Sequence, residues 1–130
     1  MEEDARRLIL ELRALQARIE EGQRQLAAFQ QYAAETTASA NALKNLSSDE
    51  SLFPFGAGVI VKAKVADSSK VFVYVGAGVI AEKTVGETVT ELEKRAKELL
   101  EAITRLQEEL SALVQRSEEL NARLAKLQKY

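Results

Sequence analysis

A chain of 130 residues can supply one ordinary domain, yet with aromatics at 5% and charged residues at 29% the composition suits long helices better than a packed globule. It has no cysteine and no histidine, which excludes disulfides, thiolate nucleophiles, imidazole bases and the usual zinc ligands. The formal net charge of -2, with acidic and basic residues interspersed, argues against an electrostatic grip on nucleic acid.

The start, Met1-Glu2-Glu3-Asp4, is acidic, and no apolar run approaches the length of a signal segment or a membrane span. A cytoplasmic protein with no membrane contact is the expectation. From Ala5 to Leu43 the apolar or small residues alternate by threes and fours: Ala5, Leu8, Leu12, Leu15, Ile19, Gly22, Leu26, Phe29, Ala33, Thr36, Ala40, Leu43. This is the seam of a coiled coil, in which the first and fourth residues of each heptad face the partner. It predicts one helix about 60 Å long, stopped near Ser47-Ser48-Asp49.

The next stretch, Leu52 to Thr84, contains a near repeat. Gly56-Ala57-Gly58-Val59-Ile60 recurs as Gly76-Ala77-Gly78-Val79-Ile80. Each copy is a β-rich run broken by a Gly-Ala-Gly turn, which predicts two tandem hairpins. In the first, Val59, Val61, Ala63 and Val65 alternate with Lys62 and Lys64; in the second, Val71 to Val75 is apolar on both faces through Phe72 and Tyr74.

The second flank opens with Thr84-Val85-Gly86-Glu87, a capping-box pattern that Thr88 to Glu91 repeats. The seam then resumes through Val89, Leu92, Ala96, Leu99, Ile103, Leu106, Leu110, Leu113, Ser117, Leu120, Leu124 and Leu127. Two helices of matching length joined by a β segment should fold back on each other, since neither seam is stable in water. Pairing residues whose numbers sum to 132 sets Gly22 opposite Leu110, Phe29 opposite Ile103 and Leu8 opposite Leu124. Gly22 should then either admit Leu110 closely or mark a bend, and the Thr36–Ala96 layer should be the weakest.

The expected fold class is therefore α+β: two long antiparallel coiled-coil helices, residues 1–46 and 85–130, joined by two hairpins over residues 47–84. About thirty residues of hairpin cannot bury their own apolar faces, and their edges invite pairing. The hairpins are expected to be the hub of an obligate oligomer.

The β segment resembles the α class of the prefoldin family. The resemblance rests on Leu52-Phe53-Pro54-Phe55-Gly56-Ala57-Gly58, Val61-Lys62-Ala63-Lys64-Val65, Val73-Tyr74-Val75-Gly76-Ala77-Gly78 and Ala81-Glu82-Lys83-Thr84. It implies a hexamer of two α and four β-class subunits on a β-barrel platform, whose arms capture unfolded client proteins without ATP and deliver them to a group II chaperonin. On that reading Phe53, Phe55, Val59, Val61, Val71, Val73, Val75 and Val79 are barrel residues, and Gly56, Gly58, Gly76 and Gly78 form the turns. Client contact falls at the coil end, where Leu10 occupies the heptad position facing away from the partner helix. Ile9 lies beside it, and fraying there would bare Leu8, Leu12, Leu120, Leu124 and Leu127.

No enzymatic function and no cofactor is expected. Gly76-Ala77-Gly78-Val79-Ile80-Ala81 fits a dinucleotide fingerprint, but that motif works by opening a helix, and here a strand continues. No Walker motif is present, the carboxylates sit on solvated helix faces, and Ser68 and Ser69 read as turn residues. A filament-forming structural protein of similar fold is the alternative, because exposed β edges can propagate as well as close. An arm for RNA would need a basic stripe that these helices lack.

Overall fold

The computed structural model describes residues 2–128. Its elements run α1 (Glu2–Lys44), β1 (Ser51–Gly56), β2 (Val59–Ala63), β3 (Lys70–Gly76), β4 (Val79–Thr84) and α2 (Val85–Gln128). The chain divides into two compact units. One comprises the residues up to Ala33 with those from Glu98 onward; the other spans Ala34–Lys97.

In the first unit the helices pack through the three-four seam. Leu8, Ile19, Ala33, Ile103, Leu110 and Leu120 are buried, and the intervening seam residues are half-buried. Gly22 is buried against Leu110: a β-carbon at position 22 would overlap the Leu110 Cδ2 methyl and lie 3.3 Å from its Cγ. The seam pairing that sets these two residues opposite each other is therefore the one adopted, and Gly22 serves close approach.

The second unit holds the inner ends of both helices and the β segment. Ala40, Thr36 and Thr88 are buried, while Leu43, Val89, Leu92 and Ala96 are half-buried. Lys44 and Glu93 meet across the helix pair at 2.5 Å. α1 ends a few residues before the serine cluster expected to stop it. The last amides turn back three residues, Asn45 to Ala42 and Leu46 to Leu43, and the Asn45 side chain donates to the Asn41 carbonyl. This local asparagine bond competes with further helix, so the chain leaves there.

α2 is capped by Thr84, whose hydroxyl accepts the Glu87 amide at 3.1 Å. The second capping pattern does not cap. Thr88 already lies inside the helix, buried, and its hydroxyl donates to the Thr84 carbonyl at 2.9 Å. Glu91 instead receives both bonds of the Lys83 ammonium, each at 2.9 Å.

The strands form two separate antiparallel hairpins, β1 with β2 and β3 with β4. They are copies of one another at a twenty-residue offset: Leu52 opposes Lys62 as Phe72 opposes Glu82, and both ladders slip by one residue just before the turn. The turns match too. Ala57 and Ala77 both have φ of 50°, with Gly58 at 80° and Gly78 at 75°. Positive φ at both central residues is the mirror-image turn whose twist suits a tight hairpin.

Candidate functional site

Alternation along each strand gives a hairpin two faces. Phe53 and Val61 are paired and half-buried in the first hairpin; Val71 and Val73 are half-buried in the second. The remaining expected barrel residues, Phe55, Val59, Val75 and Val79, flank the turns and are exposed, Phe55 at 76%. Gly56, Gly58, Gly76 and Gly78 form the turns, all with positive φ.

The opposite face carries large apolar residues outside the expected barrel set. Phe72 is 72% exposed and Tyr74 77%, with Ile80 directly across from Tyr74; Leu52 and Ile60 occupy the equivalent face of the first hairpin. Their signal was the run from Val71 to Val75, apolar on both faces, which a strand shows when both faces are to be covered. Single exposed apolar residues are ordinary, but a contiguous set on a two-stranded sheet with two unpaired edges marks an interaction surface.

Charge on the hairpins is locally matched. Lys70 lies 3.2 Å from Glu82 across its ladder, and Lys62 lies 3.7 Å from Glu50. Such exposed pairs contribute little energy and mainly keep the surrounding surface neutral. The linker between the hairpins is pinned by Asp67. Its carboxylate accepts the Ser69 hydroxyl at 2.5 Å and the Ser69 amide at 2.8 Å, which together hold it below the usual carboxylate range. The Ser69 carbonyl in turn accepts the Val85 amide at 2.9 Å, tying the linker to the first residue of α2.

At the end of the first unit where α1 begins, the expected client residues divide by burial. Leu10 stands 64% exposed, whereas Leu8 is buried and Leu120 fully so. Ile9, Leu12, Leu124 and Leu127 are half-buried, and Ile9, Leu12 and Leu124 line a shallow groove with Arg13, Gln16, Ser117 and Asn121. In the packed coil only Leu10 is offered outright. Leu8 and Leu120 would need the helices to part.

Seam-packed helices joined by two duplicated hairpins with uncovered apolar faces define the class: a two-helix coiled-coil chain with an inserted β segment. Residues 15–130 match the family model described as Prefoldin subunit. The chain is 36% identical over 109 residues to a prefoldin subunit alpha of Methanococcoides burtonii, covering 81% of this chain and 79% of that one. It is equally similar to a prefoldin subunit alpha of Thermofilum pendens, with 81% and 84% covered. A solved filamentous PFD from Methanocaldococcus jannaschii matches with a TM-score of 0.51 at 28% identity, over 95% of this chain and 99% of that one.

The chain belongs to the prefoldin family, as a member of its α-subunit class. Its function is of the chaperone type, exercised in assembly with other prefoldin subunits. Among the described residues no helix is long and apolar enough to cross a membrane.

Proposed function

We propose that this chain is the α subunit of a closed hexamer with four β-class subunits, acting as an ATP-independent holdase in the cytoplasm. The hexamer captures unfolded proteins at its coil ends and delivers them to a group II chaperonin. The observation that carries this reading is the pairing of an uncovered apolar β surface, Phe55, Phe72 and Tyr74 foremost, with an α-class sequence spanning most of the chain. Assembly buries the first; the coil end, with Leu10 exposed, remains to meet clients. Binding by apolar contact suits clients of any sequence, because it needs no matched side-chain geometry.

The test is suppression of aggregation of a thermally unfolding enzyme by the assembled oligomer, without nucleotide. Leu10→Ser should leave stability within about 0.5 kcal/mol of the parent, as for other exposed positions, while weakening suppression. Unchanged suppression by that variant would remove Leu10 from the client site. Transfer of the client to a chaperonin, followed by refolding, tests delivery.

A second reading, an open filament, is favoured by the likeness to a PFD described as filamentous. Two-stranded hairpins with free edges support propagation as well as closure. Light scattering separates the two: a discrete mass that appears on mixing with β-class subunits supports the hexamer, and growth of the isolated chain with concentration supports the filament.

A further inference from the structure

Heptad positions place an unequal distribution of charge on the two flanks of the coil in the first unit. On the flank nearest the first seam position of each heptad, α1 presents Glu2 in its first turn and then Ile9, Gln16, Gln23 and Gln30. The same flank of α2 presents Leu100, Gln107, Val114 and Asn121. In antiparallel helices these rows lie on one side of the seam. The groove that gathers Ile9 and Gln16 with Asn121 shows this directly.

Inward of Glu2 none of these residues is charged. The opposite flank carries Glu11, Arg18, Glu109, Arg116 and Arg123, with the uncharged Gln25 and Ala102 next in the same rows. A charged flank is the usual arrangement, because ion pairs beside the seam fix partner and orientation. The neutral row is mostly exposed: all five amide side chains are exposed, Leu100 stands 58% exposed and Val114 40%.

We propose that this neutral flank is a binding track for extended segments of unfolded polypeptide, continuing the client site inward from the coil end. The inference rests on the holdase reading above. Each glutamine or asparagine amide has two donor hydrogens and one acceptor oxygen, of which Gln16 already gives one donor to Glu20 at 3.2 Å. An unfolded chain presents backbone N–H and C=O groups bonded only to water along its length, whatever its sequence. Leu100 and Val114 add apolar contact between the amides. A helical occupant would already have its backbone bonds satisfied internally, leaving the amides nothing to read. Nucleic acid would need a row of cations, and the groove on this flank holds one, Arg13. The track is continuous with the expected client residues Ile9, Leu12 and Leu124, which share the groove with Gln16 and Asn121.

The chain has no cysteine, so single thiols can be placed at will. Gln23→Cys and Val114→Cys on the neutral flank, Gln25→Cys and Ala102→Cys on the charged flank, and Leu10→Cys at the coil end are each labelled with a thiol-reactive benzophenone. The assembled oligomer is then irradiated with a reduced, alkylated protein that stays unfolded in buffer. The expected result is several-fold more client adduct from positions 23 and 114 than from 25 and 102. Equal adduct on both flanks overturns the track, as does cross-linking of positions 23 and 114 to other subunits in place of client. Adduct from position 10 alone also sinks the track while leaving capture at the coil end intact. No client adduct from any position overturns both.

Discussion

Leu110 of α2 seats its Cδ2 methyl where a β-carbon on Gly22 of α1 would stand. The glycine is buried mid-helix, where it costs about 1 kcal/mol relative to alanine, and the close approach of Leu110 offsets that cost by filling the layer.

Gly22→Ala sets two effects against each other. Overpacking costs about 1–3 kcal/mol, and the better helix former returns about 1. The single variant should therefore be neutral to moderately destabilised. The diagnostic is the double variant with Leu110→Ala, where the new methyl meets no clash. Denaturant unfolding should show the double more stable than the sum of its singles by about 0.5–3 kcal/mol, and strict additivity would mean the two residues do not meet.

Ala57 and Ala77 hold φ of 50°, a conformation that costs an L-residue with a β-carbon about 1–2 kcal/mol and that asparagine tolerates better. Ala57→Asn or Ala77→Asn should therefore slow amide exchange in the corresponding hairpin. Ala57→Val should speed it, since a β-branched residue fits that region worst.

Phe72 and Tyr74 are more than two-thirds exposed, so their loss removes little from the isolated chain. Phe72→Ser with Tyr74→Ser should leave the helical circular dichroism signal intact and abolish assembly with β-class subunits in light scattering. Unimpaired assembly would confine the interface to the half-buried faces.

Asp67 is held below the usual carboxylate range by the Ser69 hydroxyl first and the Ser69 amide second. A lowered carboxyl stabilises the folded linker above its unfolded value, and that contribution is lost as pH falls through the folded one. Protection of the Ser69 amide, followed by NMR exchange, should therefore fall on acidification below the ordinary aspartate range. In Asp67→Ala it should be low throughout and show no such step.

Both helices were legible as seams. Every seam residue from Ala5 to Leu43 and from Val89 to Leu127 is buried or half-buried, and the Gly22–Leu110 layer fell where size complementarity placed it. The hairpins were legible from the Gly-Ala-Gly repeat. The second capping pattern at Thr88 misled because a hydroxyl inside a helix donates to the carbonyl four residues back as readily as it caps. The exposure of Phe72 and Tyr74 was not legible because a run apolar on both faces does not say which face its own chain covers.

By itself the sequence determined the two helices, the two hairpins, the absence of cysteine and histidine chemistry, and the family to which the chain belongs. These follow from periodicity, composition and local turn preference, which act over a few residues. Only the tertiary structure decided which apolar residues remain uncovered. Leu10, Phe72 and Tyr74 are exposed while Leu8 and Leu120 are buried, although all are apolar. Burial depends on what lies opposite a side chain in space, and that is set by the packing of both helices and the pairing of the strands.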